Sequence, residues 1–390
     1  MRVTYAARSF LDYRVPVFRA LNERLEGDLT VIFSADYVPS RVARKAQTVL
    51  GSSAVGMTGE LCLGPRSTQG FANRAVRVVY QPGIMQAILH SRPDVLVGDG
   101  FFQWTSFALA YRLRYGTPLV VCYERTFHTE RNAQWLRTFY RRQVLRFVDA
   151  MSVNGELSQQ YSEWLGMPAA RITRGHMVAD TEGLARSVQD TTAEQRRTMR
   201  ERFGNPQLLF LGVGQLIERK GWKQLLLAWA SFEKKHPEAS RLVLIGEGPE
   251  EGHLMDLTRS LGVEGVILEG RVGYDDLATY YASADVFLIP TLEDNWSLVV
   301  PEAMACGLPV LCSCYNGCYP ELVEDYGNGW VFDPLDMGGT VQALERCFAQ
   351  RQRLPAMGAR SLAIIAEHTA AHAADAILHA CHIATSHRRP

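Results

Sequence analysis

Two carboxylates stand eight residues apart in TLEDNWSLVVPEAMACGLPV, residues 291–310: Asp294 and Glu302. The residues between them are mostly apolar, and an acid among apolar neighbours is costly unless a partner satisfies it. Carboxylates accept hydrogen bonds from paired hydroxyls, so a ligand rich in hydroxyls suits both ends. One acid could hold a sugar ring and the other a ribose. A helix start at Pro301-Glu302, where proline suits a first turn, would offer backbone N–H groups to a phosphate between them. The plainer alternative is a glutamate favoured by the helix macrodipole, plus a solvated loop acid.

A second stretch, FLGVGQLIERKGWKQLLLAW (residues 210–229), runs a strand into a glycine turn, then the basic pair Arg219-Lys220, Gly221 and an amphipathic helix. Gly214 would let the backbone approach a ligand closely, and a lysine at a helix start is a natural phosphate partner. Gly212-Val213-Gly214 is not a dinucleotide fingerprint, because Ile217 stands at the third glycine position. The Walker pattern fails as well. A plain strand–helix turn with a solvated basic pair is the competing reading. IGEGPE (245–250) and the turn Gly270-Arg271-Val272-Gly273 are strand ends of the same kind. Arg271 and Val272 could face a flat base. After TPLVV comes CYERTFH, which puts Glu124 and His128 just past a strand.

These residues need elements to position them. Short apolar runs alternate with amphipathic helical stretches. RVTYAA, LTVIFS, PDVLVGD, TPLVVCYE and VDAMSVN read as strands in the first half. LLFLGVG, RLVLIGEG, GVILEG, ADVFLIPT, LPVLCS and GWVFD do so in the second. Runs apolar on both faces suit parallel strands buried between helices, and their alternation with helices indicates doubly wound α/β units. Twelve or so strands are too many for one such sheet, so two are expected. The seam falls between residues 177 and 205, where a polar stretch precedes a capping-box spacing at Thr191 and Glu194. The expected domains are 1–180, 181–365 and a C-terminal helical segment, 366–390, packing back toward the first domain. Two such domains leave a cleft, with ligands at the carboxyl ends of the strands.

The composition narrows the class. Of 390 residues 47% are hydrophobic and 21% charged, ordinary values for a folded soluble chain large enough to need no disulfide or metal staple. No apolar run reaches membrane-spanning length and no signal-peptide core opens the chain, so a cytoplasmic protein with mostly free cysteines is expected. Net charge is zero, but residues 1–150 hold 20 Lys+Arg against 11 Asp+Glu, a difference of +9, which leaves −9 for the rest. A basic first half suggests an anionic partner such as a membrane surface; nucleic acid is not expected, because no basic-aromatic RNA signature or zinc-finger spacing appears. Cys312, Cys314 and Cys318 lack zinc-site spacing, and the histidines at 368, 372, 379 and 382 read as a helix face.

GQLIERKG, IGEGPE, GRVGYDDLATYYASADVFLIPT and EDNWSLVVPEAMACGLPVL, in that order and spacing, resemble the retaining glycosyltransferases of family 4. The resemblance is specific over residues 208–335 and looser over the first 180. It implies a GT-B fold of two Rossmann-like domains, with a nucleotide-diphosphate sugar on the second and the acceptor on the first. It also implies transfer of a hexose with retained configuration and no metal. Lys220 would neutralise the leaving diphosphate, Glu302 would hold the ribose and Asp294 the donor sugar. The amides around Trp296, Ser297, Leu298 and Val299 would line sugar and phosphates, and Arg271 and Val272 the base. His128 would orient reactants and is not expected to be an obligatory base. The expected acceptor is a saccharide or a lipid-linked one; an enzyme peripheral to the inner face of the membrane is expected from the basic first half alone.

Two positions depart from the family pattern. Gln215 stands where relatives carry an arginine, and neighbouring Arg219 is the candidate replacement. Asp294 stands where they carry glutamate, with Glu293 beside it. Two rivals therefore stay open: a nucleotide-sugar epimerase of the same fold, and a binding protein without turnover.

Overall fold

The computed structural model describes residues 1–64 and 78–386. They cluster into two compact units: residues 1–64, 78–180 and 368–386 in one, and residues 181–367 in the other.

The first unit is built on a seven-stranded parallel sheet. From edge to edge its strands are Ala54–Met57, Leu29–Ser34, Val3–Ala7, Val95–Asp99, Leu119–Tyr123, Ala150–Val153 and Ile172–Arg174. Alternate residues feed two cores, as period-two geometry requires. Val31 and Phe33 pack on one face with Val3, Tyr5, Val95 and Val97, whereas Ile32, Leu96, Val121 and Met151 pack on the other. The C-terminal helix Ala370–Ser386 belongs to this unit and lies along the helix Arg14–Arg24. Its buried stripe of Ala373, Ala374, Ala380 and Ala384 permits a close approach. Thr173 Oγ1 donates to the Ala376 carbonyl (2.8 Å), and Arg24 pairs with Asp375.

The second unit carries a six-stranded parallel sheet. Its order is Val266–Gly270, Ser240–Ile245, Leu208–Val213, Val286–Ile289, Val310–Ser313 and Gly329–Phe332. Every strand expected from the apolar runs is present. The strands at 54–57, 61–63, 78–80 and 172–174 were not expected. They have three or four residues each, and 61–63 and 78–80 pair antiparallel with each other outside the main sheet.

Two local expectations need correcting. The capping box is one residue later than the Thr191/Glu194 spacing: Thr192 accepts from the Gln195 amide (3.2 Å) and Gln195 Oε1 accepts from the Thr192 amide (2.8 Å). Glutamine serves there as well as glutamate, because only its carbonyl oxygen is used. The helix expected at Pro301 begins at Val299. All eight cysteines are free thiols, and no described helix is long and apolar enough to cross a membrane.

Candidate active site

The carboxyl end of the strand Leu208–Val213 opens into the turn that carries Gly214 and Gln215. A single 3-10 turn, Glu218–Lys220, then leads into the helix Trp222–Lys235. Buried Trp222 fixes this turn by donating its indole N–H to the Gln215 carbonyl (3.0 Å). That contact leaves the Gln215 side chain exposed. Gly221 adopts φ +72°, and a Cβ there would stand 2.0 Å from the Pro290 carbonyl oxygen, so the two chain segments touch through bare backbone. Gly246, at φ +151°, abuts the Gly214 carbonyl in the same way, at 1.9 Å from a notional Cβ.

The turn and the acidic loop are zipped together by the Arg219 carbonyl. It accepts from the amides of Leu292 (2.8 Å) and Glu293 (3.3 Å) and from Thr291 Oγ1 (3.0 Å). The Arg219 guanidinium turns back to donate to the Glu293 carbonyl (3.4 Å). This places Lys220 against Asp294, with Nζ donating to Oδ2 at 2.6 Å. Ser297 Oγ donates to the same oxygen (2.7 Å), and the Trp296 amide donates to Oδ1 (3.2 Å). Burial by itself would raise the Asp294 carboxyl. The Lys220 ammonium, the Ser297 hydroxyl and Arg219 outweigh it and hold the group below the usual carboxylate range.

One residue of this constellation escaped the sequence reading. Asn316 is fully buried, and its Oδ1 accepts from the amides of Ser297 (3.3 Å) and Cys318 (3.5 Å). The backbone of Asp294 pairs with the same segment: its amide donates to the Tyr315 carbonyl (3.4 Å) and its carbonyl accepts from the Gly317 amide (3.0 Å). The Asn-Gly dipeptide at 316–317, a turn signal, was the available clue.

The other expected residues divide clearly. Trp296 and Ser297 are buried, Leu298 and Val299 are half-buried, and Glu302 is half-buried in the first turn of the helix Val299–Ala305. Glu293 is buried beside the Arg219 carbonyl. Arg271 is largely exposed and reaches Glu247 (3.4 Å), while Val272 is half-buried. Both line a pocket of about 390 Å³ with Met199, Arg202, Glu269 and Tyr280. His128 belongs to the first unit, in the turn after the strand Leu119–Tyr123. A bidentate pair from Arg141 to Glu130 (2.7 and 2.9 Å) braces that turn. Among the described residues no three His, Cys, Asp or Glu side chains gather as a metal cluster. The arrangement in the second unit is thus a buried cation held between a glycine turn and an acid. It suits an anion that bears hydroxyls.

Residues 195–361 match the family model for glycosyl transferases group 1, and residues 17–175 match that of a glycosyl transferase 4-like domain. The chain is 33% identical over 136 residues to an uncharacterized glycosyltransferase of Haemophilus influenzae, covering 35% of this chain and 38% of that one. It is 27% identical over 292 residues to a sulfoquinovosyl transferase of Arabidopsis thaliana, covering 71% and 54%. The matches therefore span only about a third to a half of those relatives' own lengths. Anabaena HepE in complex with UDP superimposes with a TM-score of 0.74 at 17% identity, covering 98% of this chain and all of that one. HepE complexes with UDP-glucose and with UDP and glucose align with a TM-score of 0.70 each. Two parallel-sheet units of this kind fit the GT-B fold. With both family models matched, the chain belongs to the group 1 glycosyltransferases.

Proposed function

We propose that this chain transfers a hexose from a nucleotide-diphosphate sugar to a saccharide or lipid-linked acceptor, with retention and without a metal ion. The observation that supports this most is the buried Lys220–Asp294 pair at the carboxyl end of the second sheet. A cation fixed in place before the reaction stabilises charge as it develops on a departing diphosphate, at no cost of reorganisation. In this reading Lys220 exchanges Asp294 for phosphate oxygens as the donor enters. Asp294, still held by Ser297 and the Trp296 amide, then presents a free lone pair to a donor-sugar hydroxyl. Glu302 takes the ribose, and Arg271 and Val272 face the base. His128 orients the acceptor. UDP and UDP-glucose in the HepE complexes support a nucleotide-sugar donor here. A place in the cytoplasm, at the inner face of a membrane, belongs to the same proposal.

The test is thermal unfolding with UDP, GDP, ADP and dTDP, on the wild type and on Lys220→Ala. A nucleotide at 100 times its Kd stabilises by about 2.7 kcal/mol. One nucleotide should shift the wild type and lose that shift in the variant. A matching sugar donor should then yield product of unchanged anomeric configuration by NMR, with EDTA present. No shift with any nucleotide at millimolar concentration would overturn the donor site. A second reading, binding without turnover, draws on the same geometry, because Gln215 supplies no cation and Asp294 is already engaged. It predicts a nucleotide shift but no nucleotide release from any donor.

A further inference from the structure

Large apolar side chains are left in water unevenly. Fifteen lie exposed among the described residues of the first unit and five in the second. One group stands on the helix Trp135–Leu145 and its neighbours. Trp135 is 74% exposed, Leu136 56% and Phe139 55%. Trp135, Phe139, Arg142 and Arg146, the last directly after the helix, are spaced so that they share one face, and Leu136 borders it. The opposite face is anchored: Val144 and Leu145 enter the core, and Arg141 is buried in its pair with Glu130. The outward face is therefore presented by a fixed helix.

The patch continues onto the next helix. The Arg142 guanidinium lies 4.6 Å from the ring of Trp164 and donates to its carbonyl (3.3 Å). Trp164 in turn contacts Phe127 at 5.5 Å between ring centroids, and both rings are nearly half exposed. Charge is one-sided. Residues 135–145 contain three arginines and no acid. Across residues 101–149 eight arginines face three acids, and two of those acids are taken up by Arg112 and by Arg141.

We propose that this face docks on an anionic lipid bilayer, with Trp135, Leu136 and Phe139 entering the interface and Arg142 and Arg146 meeting headgroup phosphates. Tryptophan beside arginine suits a boundary that is apolar on one side and negatively charged on the other. A protein partner would have to supply acids to Arg142 and Arg146 and apolar cover to the rings; an anionic bilayer supplies both everywhere. The brace from Arg141 to Glu130 ties this helix to the turn bearing His128, so docking would set the proposed acceptor segment beside the lipid surface. That consequence rests on the function proposed above; the docking itself does not.

The experiment is co-sedimentation of the full chain with phosphatidylcholine vesicles, with and without phosphatidylglycerol, alongside tryptophan fluorescence. The wild type should pellet with the anionic vesicles alone, shift its emission to the blue and release in high salt. Trp135→Ser/Leu136→Ser/Phe139→Ser should bind at least about tenfold more weakly, since interfacial binding scales with the apolar area immersed. Arg142→Glu/Arg146→Glu should lose the preference for anionic lipid. All five side chains are solvent-facing, so the variants should melt as the wild type does and keep any nucleotide shift. Wild type left in the supernatant, or a triple variant that pellets normally, would overturn the inference. So would a dimer that the triple substitution dissociates, because the patch would then be an interface between copies. Failure of the nucleotide shift with vesicle binding intact would count against the donor site alone.

Discussion

Replacing Lys220 with methionine keeps the length of the side chain and removes its charge. Asp294 then stays in place with the Ser297 hydroxyl and the Trp296 amide but no cation. Breaking one partner out of a buried pair costs about 3–5 kcal/mol, because the remaining charge is stranded. Both side chains keep roughly a tenth of their exposure, 11% and 13%, which argues for the low end, about 3 kcal/mol. For a unit of this size that is roughly a 6–12 °C fall in Tm at pH 7.

The pH dependence carries the sharper signature. In the wild type the Asp294 carboxyl sits below its unfolded value, so the pair's contribution is present above about pH 4 and is lost as pH falls through the folded pKa. In Lys220→Met, burial dominates and raises the carboxyl above its unfolded value. The carboxylate then destabilises the variant at neutral pH, and protonation relieves it as pH falls. The gap in Tm between the two proteins should therefore narrow from pH 7 toward pH 4. Adding Asp294→Asn to the variant should recover much of the loss at pH 7, in a double-mutant cycle read by differential scanning calorimetry. A gap below 2 °C, or one that stays constant with pH, would refute a stabilising pair between these residues.

Other outcomes follow from the same geometry. Gly221→Ala must place a Cβ 2.0 Å from the Pro290 oxygen at φ +72°; it should cost about 2 kcal/mol or more, and a variant that melts with the wild type would defeat the close-approach argument. Arg8→Met should cost about 3 kcal/mol, because the fully buried Glu60 side chain would keep only Trp104 Nε1 (2.8 Å) of its strong donors. Adding Glu60→Gln should restore part of that loss in chemical denaturation. Gln215→Arg would supply the cation missing from this turn and should tighten nucleoside diphosphate binding about tenfold, as one charge-assisted hydrogen bond would. Calorimetry should show the parent nucleoside unaffected.

Most of the framework was legible because parallel strands buried on both faces are written as unbroken apolar runs, such as LLFLGV and VFLI. The unexpected strands lack that signature. AVGM and ITR are short edge strands, and LCL with VVY pairs off the sheet with outward-facing leucine and tyrosine side chains. Lys220 and Asp294 were also legible, each by type and by place after a strand. Their contact was not. It spans 74 residues and depends on Gly221 meeting Pro290 backbone to backbone. Asn316 was hidden for a related reason: a buried amide that ties one loop to another has no periodicity and no charge, and its Asn-Gly context marks only a turn.

Composition and periodicity alone determined a two-sheet α/β chain, a basic first half and the short list of residues at strand ends, since burial pattern and turn chemistry are local properties of the chain. Tertiary structure alone decided that the Arg219 carbonyl clamps the acidic loop. It also decided that Lys220 neutralises Asp294, and that Arg141 becomes a buried brace while Arg142 and Arg146 stay exposed. A sequence gives each ionisable group its charge. The company it keeps, and so its pKa and its energy, is fixed only when distant segments are packed within hydrogen-bonding distance.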